Sequence, residues 1–147
     1  MIIRAVRDTD CDEWLRMRMA LWPDGVREDL ESELAEITAN RPQEDALMLE
    51  RPEGGLGGFV EVALRPWAEG CRTRPVGYIE GWYVDPDLRR QGWGRALVAA
   101  AEAWARQLGC REMGSDCELW NDASFQAHQA LGYEEVLRTI HFRRSLS

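Results

Sequence analysis

Between Val76 and Leu108 the chain sets a strand-forming run, a loop with three arginines and two glycines, and a helix-forming run in direct succession. The loop reads Arg89-Arg90-Gln91-Gly92-Trp93-Gly94-Arg95 and is entered through Val84-Asp85-Pro86-Asp87-Leu88. This order suits an anion. Glycines let the backbone turn sharply and approach a ligand, and the unpaired N–H groups of a helix start point at negative charge. A phosphorylated ligand is the expected occupant. A P-loop is excluded, because its Lys-Ser/Thr pair would fall on Arg95-Ala96. A dinucleotide fingerprint is excluded as well, because its third glycine or alanine would fall on Leu97. What remains is Arg-x-x-Gly-x-Gly, formed by Arg89, Gly92 and Gly94.

A second kind of chemistry lies just upstream. Glu80 interrupts the apolar strand Val76-Gly77-Tyr78-Ile79-Glu80-Gly81-Trp82-Tyr83-Val84. A carboxylate in a central strand is costly unless it is paired or used. Glu80 is therefore expected to act as a base; the alternative is a glutamate facing solvent or bridged to a nearby arginine. Asp116 follows a short strand expected at Glu112–Ser115. It is a second acidic candidate, against the plainer role of a turn residue capping the loop that follows.

The elements that must position these groups are legible from periodicity. A first strand spans Ile2 to Val6, and Asp8-Thr9-Asp10 are helix-capping types. Trp14, Leu15, Met17, Arg18, Leu21 and Trp22 recur at helical spacing until Pro23-Asp24-Gly25. A second amphipathic helix covers Asp29 to Thr38. Strands at Ala46–Glu50 and Gly58–Leu64 flank a hairpin turn, and a long loop runs from Arg65 to Pro75. A helix from Ala96 to Leu108 carries Leu97, Ala101, Trp104 and Leu108 on one side. Another helix spans Asn121 to Leu131, and a last strand pair is expected at Tyr133–Leu137 and Thr139–Arg143. The expected fold is α/β: a mixed, mostly antiparallel sheet with helices on both faces.

With 147 residues, 45% hydrophobic and 30% charged, one domain over residues 1–147 is expected. The four cysteines lack C-x-x-C spacing, so metal binding is not expected and free thiols are. Cys117 falls closest to the candidate site. No run is long and apolar enough for a membrane helix and no signal pattern opens the chain, which makes the cytoplasm the default and a membrane partner unexpected. A net charge of −8 argues against nucleic acid and is compatible with a cationic substrate.

The loop Arg89-x-x-Gly92-x-Gly94, the strand before it and the Val84-Asp85-Pro86 turn resemble the acetyl-coenzyme A loop of the GNAT N-acetyltransferases. Asn121-Asp122-Ala123-Ser124 and His128-Gln129-Ala130-Leu131-Gly132-Tyr133 are similar to a second motif of that family. The resemblance covers nearly the whole chain and implies a splay between strands 4 and 5. It also implies acetyl-coenzyme A as co-substrate, held by Trp82, Tyr83, Val84, Arg89, Arg90, Gln91, Gly92, Trp93, Gly94, Arg95, Asn121, Ser124 and His128. A backbone N–H around Trp82 to Val84 would meet the oxyanion that forms when an amine attacks the thioester. The chain departs from the family at His128, where many members carry tyrosine, and this leaves the general acid unassigned.

Within the family, Leu21-Trp22-Pro23, Glu80-Gly81, Gly109-Cys110-Arg111-Glu112-Met113, Ser115-Asp116 and His128 to Glu135 look like the aminoglycoside 6'-N-acetyltransferases. That resemblance implies catalytic roles for Glu80 and Asp116, and an antibiotic site lined by Trp22, Trp67, Glu80, Asp116 and Glu135. It further implies a homodimer. A polyamine, a small amine or a protein amino group remains an alternative acceptor, and a non-catalytic acyl-coenzyme A-binding module an alternative class.

Overall fold

The computed structural model describes residues 1–147. The first compact unit, Met1–Ser115, begins with strand β1 at Ile2–Ala5 and helix α1 at Cys11–Leu21. Asp10, expected as a capping type, is buried; it accepts the Arg7 N–H at 2.7 Å and two N–H groups of Arg4. Helix α2 covers Arg27–Ala39, starting two residues before the expected Asp29. Strands β2 (Glu44–Glu50) and β3 (Leu56–Arg65) then form the expected hairpin, closed by the Arg51 N–H to the Gly55 carbonyl at 2.9 Å. Strand β4 covers Val76–Val84, helix α3 Trp93–Gln107 and strand β5 Met113–Ser115.

The sheet order is β1-β2-β3-β4-β5, antiparallel except for the parallel β4–β5 pair. One face carries α1 and α2. Phe59 and Met48 of the sheet join Trp14, Met17, Leu30, Leu34 and Ile37 of these helices in one buried cluster. The other face carries α3. A Cβ built on Gly58 would stand 3.2 Å from Leu97, and one on Gly77 would stand 2.6 Å from Ala105. Because neighbouring strand residues point to opposite faces, Gly58 and Phe59 place the helices on both sides of the sheet, as expected. Each large side chain fully buried here, such as Trp14 or Phe59, contributes on the order of 1.5–3 kcal/mol.

The buried stripe of α3 is Leu97, Val98, Ala101 and Ala105, so Trp104 and Leu108 flank the contact instead of making it. The helix also starts at Trp93, three residues before the expected Ala96. Gly92, with φ of 88°, supplies the left-handed turn that lets the helix begin so early.

The second compact unit, Asp116–Ser147, contains helix α4 at Asp122–Ala130. The expected strand pair at 133–137 and 139–143 does not form. A strand needs a partner for its N–H and C=O groups. Its own unit offers no strand to lie beside, and Val136, Ile140, Phe142 and Leu146 stand exposed.

Candidate active site

Strand β4 changes character at Glu80. Before it, Ile79 pairs with Val62, and after it, Gly81 pairs with Glu61, so Glu80 is the extra residue of a β-bulge. The parallel ladder to β5 also stops here, at Ile79↔Ser115. From Glu80 to Val84 the β5 edge of β4 is thus outside the ladder, which is the splay expected between the two strands. The bulge turns Glu80 out of the sheet's packing into an exposed position. There Arg65 Nε and Nη2 donate to Oε1 at 3.0 and 2.9 Å, and Nη2 donates to Oε2 at 2.9 Å. The cost of a strand carboxylate is met by exposure and an arginine.

The carboxylate that is buried is a different one. Glu61, 3% exposed, accepts Trp14 Nε1 at 2.9 Å and Arg18 Nε at 2.7 Å. Arg18, also 3% exposed, donates onward to the Leu30 carbonyl and to Glu33. Burial pushes the Glu61 carboxyl up, against the pull of Arg18. Burial likewise opposes the Arg18 charge, but its bonds to Glu61 and Glu33 outweigh that and raise its pKa. This network floors the site. The Arg18 guanidinium lies 4.9 Å from the Trp22 ring centroid. Trp22 in turn covers Gly81, where a Cβ would come within 2.8 Å of its ring. Trp22 is therefore both a half-buried cap of α1 and a wall one residue from Glu80.

Trp67 stands 57% exposed on the loop between β3 and β4. Its neighbour Ala68 is buried with Val76 and Tyr78. Farther along the loop, Glu112 Oε1 accepts the N–H groups of Arg72 and Thr73 at 2.8 and 2.7 Å, together with the Thr73 hydroxyl. These bonds, the Thr73 hydroxyl first, hold the Glu112 carboxyl below the usual range. The long loop is thus pinned at both sides of Glu69 and Gly70, and Trp67 is presented from a fixed base.

At the end of β4, buried Asp85 anchors the anion loop. It accepts Arg16 at 3.0 and 3.1 Å and Arg51 at 3.0 Å, while its N–H reaches the Gly57 carbonyl at 2.8 Å. Burial works against its charge, but Arg16 and Arg51 outweigh it and keep its carboxyl below the usual range. Beyond it, Arg90 and Gly92 both take positive φ, 62° and 88°. Left-handed turns of this kind gather backbone N–H groups into a concavity suited to phosphate oxygens. Gly94 opens the first turn of α3, where a Cβ would meet the Trp82 ring at 3.2 Å. Arg89 is held back toward the strand, its Nε donating to the Val84 carbonyl at 2.8 Å. Arg90, Gln91 and Arg95 are exposed around the same turn and Trp93 is half-buried. The shape and charge fit a pyrophosphate.

In the second unit, Asn121 caps α4 by accepting the Ser124 N–H at 3.1 Å. His128 Nδ1 lies 2.7 Å from the Ser124 carbonyl, and its ring meets Tyr133 edge-on at 6.0 Å. Asp116 is exposed where the unit begins, and Glu135 is paired to Arg138. Sequence reasoning gave no role to Glu61, used Asp85 only as part of a turn, and placed Arg65 in the long loop, whereas it ends β3. Glu61 carried a usable signal, since it is the lone carboxylate of an apolar strand, as Glu80 is.

Fold, splay and anion loop together define an acyltransferase of the GNAT type. The chain belongs to the acetyltransferase (GNAT) family, whose model matches residues 9–133. Among characterised relatives it is 46% identical to aminoglycoside N(6')-acetyltransferase type 1 of Klebsiella aerogenes, over 99% of this chain and 97% of the relative. It is 42% identical to the enzyme of the same name from Serratia marcescens, over 92% of each chain. Among solved structures it is similar to AAC(6')-Iy in complex with the bisubstrate analogue CoA-S-monomethyl-acetylneamine. That match has a TM-score of 0.90 and 32% identity, and covers 98% and 97% of the two chains. The apo aminoglycoside 6'-N-acetyltransferase AAC(6')-IG from Acinetobacter haemolyticus matches with a TM-score of 0.92 and 29% identity over the full length of both.

Proposed function

We propose that this chain transfers the acetyl group of acetyl-coenzyme A to the 6'-amine of an aminoglycoside, by direct attack within a ternary complex, and so confers resistance. The observation that carries this reading is the bulge at Glu80. It sets a carboxylate where the β4–β5 ladder ends, one residue before the glycine that Trp22 covers and upstream of a loop shaped for pyrophosphate. The names borne by relatives at 46% and 42% identity support the same acceptor.

Acetyl-coenzyme A supplies the thioester and the thiolate leaving group. In this reading the loop 89–95 binds its pyrophosphate through backbone N–H groups and arginines, while Asn121, Ser124 and His128 flank its pantetheine arm. Glu80, directly or through a water, takes the proton that an alkylammonium must lose before it attacks. Asp116 serves as a second base or as an anchor for the substrate cation. Trp22 and Trp67 offer flat faces to sugar rings and ammonium groups, and Glu135 adds a carboxylate to the acceptor site. The whole of residues 1–147 works as one N-acetyltransferase domain, which the family match over 9–133 supports.

We further propose a cytoplasmic homodimer with no nucleic-acid or membrane partner. The free cysteines are in keeping with a reducing compartment, no helix is long and apolar enough to cross a membrane, and the apolar residues exposed between Val136 and Leu146 are surface that a second copy would cover.

Mass spectrometry of kanamycin or tobramycin, incubated with the purified chain and acetyl-coenzyme A, tests the activity. A single acetyl addition on the 6'-amine, above an enzyme-free control, is expected. No addition while acetyl-coenzyme A still binds would remove the acceptor assignment and send the search to polyamines and peptides.

A further inference from the structure

Arg65 is the last residue of β3 and pairs with Val76. By the two-residue period of a strand it shares its face with Ala63 and Glu61, the face that carries the Arg18–Glu61 floor. Its side chain runs back over the ring of Tyr78, with the guanidinium carbon 3.5 Å from the centroid, and ends on Glu80. The stack on Tyr78 and the fork onto the carboxylate fix one geometry, a use of arginine's planar group that lysine cannot reproduce.

Two further observations point to a role in chemistry. An exposed ion pair contributes little to stability, and this pair is about one-third exposed at both ends. Its contribution to stability is therefore small, and the fixed geometry of the fork is the feature that calls for a use. Second, the bulge leaves Glu80 with no directly opposed residue of β3, and it is Arg65, farther along that strand, that holds its carboxylate. A carboxylate has about four lone-pair sites. Oε1 receives two N–H groups and Oε2 only one, so the oxygen with room for a further donor is Oε2.

We propose that Arg65 is a positioning residue for acetyl transfer, gripping Glu80 mainly by Oε1 so that Oε2 faces the acceptor amine or its water. This rests on the reading of Glu80 as the base. Arg65 acts through Glu80 and does not itself touch the reacting atoms.

The test is a double-mutant cycle in steady-state kinetics with kanamycin and acetyl-coenzyme A. Arg65→Met is expected to lower kcat about tenfold, the low side for a general base that is misplaced, and to leave the KM of acetyl-coenzyme A unchanged. Arg65→Lys restores part of the loss. In a Glu80→Gln background, Arg65→Met should cost less than about twofold, because coupled residues are not additive. An equal loss in both backgrounds overturns the proposal, since Arg65 would then act apart from Glu80. So does a preserved kcat with a lower kanamycin KM, which would make Arg65 a mere competitor for Glu80. Full activity of Glu80→Gln alone overturns the base reading, and this proposal with it. An impaired Glu80→Gln beside an unimpaired Arg65→Met overturns only the role of Arg65. Circular dichroism and melting curves of each variant separate these outcomes from misfolding.

Discussion

Glu61 and Glu80 stand on adjacent strands, each a single carboxylate in an apolar run, yet the sheet treats them in opposite ways. Glu61 is in register, opposite Gly81, and points into the packed layer under α1 and α2. There Trp14 and Arg18 bond it, and its burial closes it to any further donor from solvent or substrate. Glu80, one residue before Gly81, is the bulge itself and is turned outward to Arg65. One extra residue in β4 separates a structural carboxylate from one available for chemistry. Sequence position alone does not decide between them. The register does.

The largest expected effect lies on the buried side of this comparison. Glu61→Ala leaves Arg18 buried without its main counter-charge and should cost about 3–5 kcal/mol of stability, read by chemical denaturation. A loss below about 1 kcal/mol would show that the pair is not what holds α1 on the sheet.

Asp85 extends the comparison to the loop. Asp85→Asn should cost about 1.5–3 kcal/mol at neutral pH, the scale of hydrogen bonds to charged groups. The folded-state pKa values of Asp85 and Asp10 are depressed. Their stabilisation is therefore present above the unfolded pKa of about 3.9 and is lost as pH falls through the lower folded values. Acid unfolding of Asp85→Asn should accordingly be shallower below about pH 4 than that of the wild type. Parallel curves would contradict the assignment.

On the exposed side, Glu80→Gln should leave the fold intact and lower kcat at least about tenfold, or about 1.4 kcal/mol. The smallest effect is expected at Trp67. Trp67→Ala should raise the aminoglycoside KM about two- to fivefold, the scale of an exposed cation–π contact of about 0.5–1 kcal/mol. The KM of acetyl-coenzyme A should not move. Equal changes in both would count against stacking.

Much of this molecule was legible in its sequence, for reasons that differ by element. Strand β4 and the turn after it were placed correctly because a run apolar except at Glu80 ends at Asp85-Pro86. Helix α3 was recognised by period, but its buried stripe was shifted, since Ala105 packs closely under Gly77 where the larger Trp104 would not fit the same gap. The C-terminal strands were misread because alternation reports a strand's faces and says nothing about its partner. At the site, the glycines at 92 and 94 were readable, being needed for a positive φ and for a close approach to Trp82. The bulge was not. It depends on pairing with β3, and so the contrast between Glu61 and Glu80 appears only once the strands are set side by side.

Whether the bulge makes Glu80 the group that deprotonates the acceptor is tested most directly by a single turnover. Acetyl-coenzyme A is pre-bound to wild type and to Glu80→Gln, tobramycin is added, and acetyl-tobramycin is followed by rapid quench and mass spectrometry. Equal binding of acetyl-coenzyme A and a transfer step at least about tenfold slower in the variant are expected if Glu80 is the base. Transfer at the wild-type rate would contradict it.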